Sequence, residues 1–368
     1  MRRKSNYYTV SYYLGNGSTN AAYQKLTQTV EEGTVVTFAK VPARTGYVNQ
    51  GWSSKKNSEK ATAKAKCTVN KNITLYAVQK KAVQLTFHRC DDSTWQKTTL
   101  AKGSSYSLPG VRDAEGYTFM GWSTKPMQSV SPQYEAEEKI TVNGNVDLYA
   151  VVFNRTTEID LTEDQLPQVD IYKYKQVIFV GDSRTEFMEN VLTGMGESAT
   201  KNVKFVCSAG KGLDWFTTTG WAQLYSIVQH DSNSILSKKT AVIFNFGVND
   251  LSKSADYAEY YNWIAPQLKS KGCELYFMSV NPVNRLMLSN AGRADRSEAA
   301  VRSFNQYMKA NLSSAYTYID MYSYLKSTGY SFASDHYGTG TVDDGLHYTT
   351  RTYKRIFAKC MDSLRVPA

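Results

Sequence analysis

Hydrophobic and polar positions follow different periods in the two parts of this chain. From Gln176 onward, short continuous apolar runs occur at Val177–Val180, Val203–Cys207, Ala241–Phe246, Leu275–Val280 and Tyr316–Ile319. Runs of this length predict strands buried on both faces. Between and after them lie stretches that predict helices at residues 185–195, 214–230, 255–271, 295–311 and 350–364. Such βαβα alternation predicts a parallel sheet covered by helices on both sides, with any ligand at the C-terminal ends of its strands.

Before residue 153 the period is closer to two. Tyr8-Thr9-Val10-Ser11-Tyr12 and Val83-Gln84-Leu85-Thr86-Phe87 alternate like half-buried strands, and glycines punctuate the residues after each of them. This part also repeats itself. Gly46-Tyr47-Val48-Asn49-Gln50-Gly51-Trp52-Ser53 aligns with Gly116-Tyr117-Thr118-Phe119-Met120-Gly121-Trp122-Ser123, and Leu75-Tyr76-Ala77-Val78 with Leu148-Tyr149-Ala150-Val151. The paired GYxxxGWS and LYAV blocks resemble the internalin-type B repeat (Listeria-Bacteroides repeat), a small β-grasp-like module found in tandem on bacterial surface proteins. The resemblance implies spacing or adhesion and no catalysis. The expected organisation is a first repeat at 8–81, a second at 82–153, a linker or packed connecting segment at 154–174, and a larger domain at 175–368. Trp52 and Trp122 are either glycan-stacking platforms or the hydrophobic centres of modules with little else to bury, and the second role is favoured.

Composition bounds the picture without changing it. The chain has 368 residues, 42% of them hydrophobic and 21% charged, which predicts two or three globular domains. The longest apolar runs are far too short for a transmembrane segment. The net charge of +10 is uneven, with 21 Lys and Arg against 12 Asp and Glu in residues 1–158 and near balance afterwards. No basic helix or nucleic-acid motif accompanies the excess, so no nucleic acid is expected; a solvated surface or contact with an anionic cell wall or glycan accounts for it. Cys67, Cys90, Cys207, Cys273 and Cys360 are odd in number and widely spaced, which argues for free thiols and against a zinc site or a disulfide framework. Met1-Arg2-Arg3-Lys4 has the basic start of a signal peptide without an apolar core after it. Either the native chain is not exported or its export signal has been removed.

Candidate chemistry lies where the strand pattern places loops. The first strand runs into Gly181-Asp182-Ser183-Arg184 and then a helix, which puts a serine and its N–H at a helix N-terminus. The third strand ends in Gly247-Val248-Asn249-Asp250, where an Asn amide can donate a hydrogen bond. Near the C-terminus, Asp343-Asp344-Gly345-Leu346-His347-Tyr348 places a carboxylate three residues before an imidazole in a glycine-containing turn. Asp344 can then hold Nδ1–H of His347 and leave Nε2 to take a serine proton. His88 lies in the repeats, His230 at a helix end, and His336 in a loop, and all three are poorer candidates.

Taken together, residues 175–368 resemble the SGNH (GDSL-type) hydrolases. Ser183 matches the serine block, Asn249 within GxND the Asn block, and Asp344 with His347 the terminal Asp-x-x-His block. In the glycine block, Cys207-Ser208-Ala209-Gly210-Lys211-Gly212, either Gly212 or Gly210 is the donor, and Gly212 is favoured because it directly precedes a helical stretch. The resemblance implies a three-layer α/β/α sandwich on a five-stranded parallel sheet; no His/Glu or Cys cluster supports a metal, and no cofactor is expected. The resemblance also implies a Ser183–His347–Asp344 triad with an oxyanion hole from Ser183, Gly212 and Asn249. Arg184 stands where the family has Leu; it is expected to pair with a local carboxylate or to contact an anionic or sugar substrate. The expected activity is ester hydrolysis, as a carbohydrate O-acetylesterase at or outside the cell surface acting on an acylated glycan. The alternatives are a lipase, lysophospholipase or thioesterase, and a non-catalytic surface adhesion protein. Trp215 and Trp263 either line the site or pack in the core, with core packing favoured.

Overall fold

The computed structural model describes residues 5–229, 239–288, 296–333 and 344–364. It divides into two compact units: Met1–His88 with Ser93–Tyr106 and Lys139–Leu148, and Arg89–Asp92 with Ser107–Glu138 and Tyr149–Ala368. The cut passes through the second repeat.

The first unit contains β1 (Tyr7–Tyr13), a short helix α1 (Ala21–Gln24), β2 (Gln28–Glu31), β3 (Thr34–Thr37), β4 (Tyr47–Ser53), β5 (Lys66–Val69), β6 (Ile73–His88) and β7 (Thr94–Ala101). A further ribbon pairs β8 (Ser104–Ser107) with β10 (Lys139–Val142). Strand β1 runs antiparallel to β2 and parallel to β6, and β6 is antiparallel to β4 and β7. The expected repeat boundary at residues 81 and 82 falls inside β6, a continuous strand of 16 residues. Trp52 is buried beside the rings of Tyr12 and Tyr23, at 4.8 and 6.0 Å, and donates Nε1–H to the Ala39 carbonyl at 2.6 Å. It is a core residue of a small module, not a platform.

In the second unit, β9 (Tyr117–Ser123) pairs antiparallel with β11 (Val146–Asn154) over Tyr149 to Asn154. Trp122 is fully buried and donates to the Pro109 carbonyl at 2.9 Å, the same bond to a residue 13 positions earlier. Five parallel strands follow: β12 (Gln176–Gly181), β13 (Val203–Cys207), β14 (Thr240–Asn245), β15 (Cys273–Met278) and β16 (Tyr316–Ile319), in the order β13-β12-β14-β15-β16. The helices are α2 (Ser183–Met195), α3 (Leu213–Trp215), α4 (Trp221–Gln229), α5 (Ser254–Ser270), α6 (Arg285–Leu288), α7 (Glu298–Asn311), α8 (Met321–Thr328) and α9 (Thr350–Ser363). A wider π-type turn, Phe216–Gly220, joins α3 to α4 inside the stretch expected as one helix.

Alternate side chains of each strand face opposite layers. Ile178, Val180, Val242 and Phe244 pack with residues of α4, α5 and α7, whereas Val177, Phe179, Ala241 and Ile243 pack with residues of α2, α8 and α9. The result is the expected three-layer α/β/α sandwich. The second layer also takes in Met120, Val151 and Phe153 from the repeat and Leu166, Val169 and Tyr174 from the 154–174 segment. Of the two roles expected for that segment, packing is the one observed. Its Glu158 is buried against Arg355, Thr352 and Ser331. Trp263, expected in the core, is 59% exposed on α5, and Trp215 is half-buried against Phe246.

Gly181, the last residue of β12, pairs with Cys207 of β13 on one side and Asn245 of β14 on the other. The loops carrying the serine, the glycines and Asn249 therefore leave the sheet at one level.

Candidate active site

Asp182 caps α2 by accepting the Arg184 N–H at 3.0 Å, so Ser183 becomes the first helical residue with its N–H at the positive end of the helix dipole. Ser183 is buried, and its Oγ lies 2.8 Å from Nε2 of His347. On the other side of the imidazole, Nδ1 bonds to the carboxylate of Asp344. The second carboxylate oxygen of Asp344 accepts the backbone N–H groups of Leu346 and His347, each at 2.7 Å. Burial alone would raise the Asp344 pKa. The bond and charge of His347 and the two N–H donors outweigh it and hold this carboxyl below its ordinary value. Asp344 is therefore an anion that fixes which imidazole nitrogen carries the proton.

The second group of residues forms around Asn249. Its Nδ2 donates to the Lys211 carbonyl at 2.7 Å, and its Oδ1 accepts from Arg296 at 2.7 Å. Because a guanidinium only donates, this fixes the amide with its NH2 side toward the glycine loop. Asp250 joins the two loops further, accepting the Leu213 N–H at 2.9 Å and the Tyr257 hydroxyl at 2.7 Å. A Cβ on Gly212 would lie 2.3 Å from Asp250 Oδ2, so a larger residue there would displace the carboxylate that joins the loops. Gly210 sits in open space with φ +69°. The loop is tied back to the serine strand by the Ser208 N–H, which donates to the Gly181 carbonyl at 3.3 Å.

Burial pushes Asp182 up to about 6, against the lowering charge and N–H of Arg184, and Asp250 is raised for the same reason. Arg184 departs from both of its expected roles. Its buried guanidinium donates to three backbone carbonyls, Leu346 at 3.0 Å, Asn281 at 2.9 Å and Pro282 at 2.9 Å, and lies over the Tyr348 ring. Carbonyls take the place of the expected carboxylate, and Nε, Nη1 and Nη2 are each bonded within the protein. Phe187, one helical turn after Ser183, meets the His347 ring edge-on at 4.6 Å. The i, i+4 spacing from Ser183 was its only signal. The Asp of Gly-Val-Asn-Asp was also passed over, though it is the residue that locks the two loops.

His88 lies in the first unit and bonds to Asp147 at 2.9 Å. His230 and His336 lie outside the described residues. All five cysteines are free thiols. Among the described residues there is no group of three or more His, Cys, Asp or Glu side chains that could hold a metal ion, and no helix long and apolar enough to cross a membrane.

No curated protein matches the chain in sequence. Among solved structures it is similar to a GDSL-like lipase from Bacteroides thetaiotaomicron, at 16% identity over 52% of this chain and 86% of that one, with a TM-score of 0.35. An acetyl-xylooligosaccharide esterase from Geobacillus stearmophilus matches at 10% identity over 54% and 98%, with a TM-score of 0.36. An acetyl xylan esterase matches at 12% over 52% and 100%, also with 0.36. The sandwich stands on its own strand order and register. Ahead of the parallel sheet, residues 8–78 and 84–151 each match the Listeria-Bacteroides repeat domain.

Proposed function

We propose that residues 175–368 form an SGNH-type serine esterase acting on an O-acylated carbohydrate, in the first place an O-acetyl glycan, at or outside the cell surface. The observation that carries the reading is the continuous hydrogen-bonded chain from Ser183 through His347 to Asp344. Nε2 of His347 takes the Ser183 proton as Oγ bonds to the ester carbonyl carbon. The resulting oxyanion accepts hydrogen bonds from the Ser183 and Gly212 N–H groups and from the Asn249 amide. One Nδ2 hydrogen of Asn249 holds the Lys211 carbonyl, and the other serves the oxyanion. The carbon–oxygen bond to the alcohol then breaks, and the alcohol leaves with the proton from His347. Water repeats the attack on the acyl-serine, giving up a proton to His347, and the carboxylic acid departs as Ser183 is restored.

The glycan reading rests on the repeats, a kind of module associated with bacterial surfaces, and on their basic balance, which suits an anionic wall or glycan. The deciding experiment is hydrolysis of 4-nitrophenyl acetate by the intact protein and by Ser183→Ala. Loss of about 10⁶ in kcat is expected, and equal rates for the two proteins overturn the esterase reading. Acetyl release from acetylated xylan or peptidoglycan supports the glycan; a preference for octanoyl and longer esters replaces it with a lipase.

A further inference from the structure

From the contacts of Asn284 we infer that the second repeat contributes a positioning residue, Asp113, which acts through Asn284 on the turn carrying Asp344 and His347. The kinetic part of this inference rests on the esterase reading above; the placement of the turn does not. The turn is braced within itself by the Asp344 carboxylate, which accepts the Leu346 and His347 N–H groups, and by backbone bonds to Ser331 and Ala333; two further contacts hold its Gly345 and Leu346 carbonyls. On one side Arg184 binds the Leu346 carbonyl and reaches on to Asn281 and Pro282. On the other side the Asn284 N–H donates to the Gly345 carbonyl at 2.8 Å. Gly345 has φ +67°, and a Cβ there would lie 2.6 Å from both the Asn284 carbonyl oxygen and Met287 Cβ. The turn therefore lies directly on the backbone of Asn284, and any shift of that residue is passed to Asp344 and His347.

What holds Asn284 is the repeat. Its Nδ2 donates to Asp113 Oδ1 at 2.9 Å and to the Val111 carbonyl at 3.1 Å, while its Oδ1 accepts the Leu286 N–H at 3.1 Å. Both Nδ2 hydrogens and Oδ1 are engaged, so the orientation of the amide is fixed. Asp113 is in turn over-determined, with a side chain 0% exposed. Its Oδ1 also accepts the Phe119 N–H at 3.0 Å, and its Oδ2 binds Arg155 at 2.7 Å. All of these residues belong to the same compact unit. A buried, paired carboxylate is a stiff anchor, because moving it leaves charge unpaired. The path from Asp113 to Asn284 to Gly345 thus fixes one side of the acid–base pair, and a displacement of about 1 Å at reacting groups costs on the order of 10²-fold in rate.

The test uses the full chain with Asn284→Ala, Asn284→Asp and Asp113→Ala, the last of which leaves Asn284 itself unchanged. Each is assayed on 4-nitrophenyl acetate and followed by hydrogen exchange of peptides covering residues 344–349 and 176–181. Asn284→Ala and Asn284→Asp are expected to lower kcat about 10- to 100-fold with KM nearly unchanged. They should also speed exchange at 344–349 about tenfold while the central strand stays protected. Asp113→Ala should show the same selective loss at 344–349, because the Asn284 amide then keeps only the Val111 carbonyl as acceptor. Unchanged kcat and unchanged protection of the turn overturn the inference, as does equal loss of protection in both peptides, which marks general destabilisation. If the unaltered protein hydrolyses no ester, the esterase reading falls, and the exchange data alone decide whether Asp113 and Asn284 place the turn.

Discussion

The two repeats carry the same blocks and end in different environments. In β4, Tyr47, Asn49 and Gln50 are exposed and the buried residues are Trp52 and Ser53. In β9, all residues from Thr118 to Ser123 are buried. The two segments differ mainly where Asn49-Gln50 is replaced by Phe119-Met120. A strand that presents one apolar face closes a small module by itself, whereas a strand apolar on both faces needs a second partner. Met120 finds it in the α2, α8 and α9 layer of the sandwich, where its carbonyl also accepts Nζ of Lys326. A duplicated motif therefore need not keep one role: Met120, where the first repeat has Gln50, packs in the core of the sandwich.

The strongest way to break this comparison is at Lys326. Its ammonium is buried between Glu135 of the repeat and Glu298 of α7, at 2.9 and 3.0 Å. Burial alone would lower its pKa, but the two carboxylates outweigh this and hold it charged. Lys326→Met leaves both carboxylates without their cation and is expected to cost about 3–5 kcal/mol in urea unfolding. A cost below about 1 kcal/mol would mean that the repeat is not anchored there.

Met120→Gln puts the first repeat's residue into the second and should cost about 2–4 kcal/mol by the same measurement, from lost apolar burial and an amide without partners. Asp182→Asn has an effect that is read against pH. The ordinary value of 3.8 is raised to about 6 in the folded protein, so the native state holds a proton that the unfolded chain releases. Stability from this group therefore falls as pH rises from about 4 to 6, with a slope of at most about 1.4 kcal/mol per unit. Asn keeps the helix cap and should flatten that slope in thermal melts across the window. The smallest effect belongs to the reciprocal exchange, Gln50→Met, expected within about 0.5 kcal/mol because residue 50 is exposed. A loss comparable to that of Met120→Gln would show that the two strands are equivalent after all.

Much of the larger domain was legible in the residues. Two strands, Val203–Cys207 and Tyr316–Ile319, have the expected ends, and the other three agree within two residues. Continuous apolar runs leave little choice when both faces must be buried. Helix α8 was missed because its buried face, Met321, Tyr322, Leu325 and Lys326, includes a lysine that only distant glutamates make tolerable. The role of Arg184 was missed for a related reason: backbone carbonyls accept hydrogen bonds at every position, so a sequence does not mark which of them will face a guanidinium.

Asp344 and His347 show what the residues determined unaided. They are three apart, and a glycine turn can close that bond locally. The periods of apolar residues are equally local, since each strand or helix is decided by neighbours within a few positions. Ser183 is 164 residues from His347, and their 2.8 Å contact exists only because the serine turn and the histidine turn are carried on the same packed sandwich. Asp113 is farther still from the turn it supports, and nothing in its neighbourhood marks it. Short-range bonds follow from residue type and spacing, whereas the path from Asp113 through Asn284 to Gly345 depends on where whole layers come to rest, which only the packed tertiary structure decides.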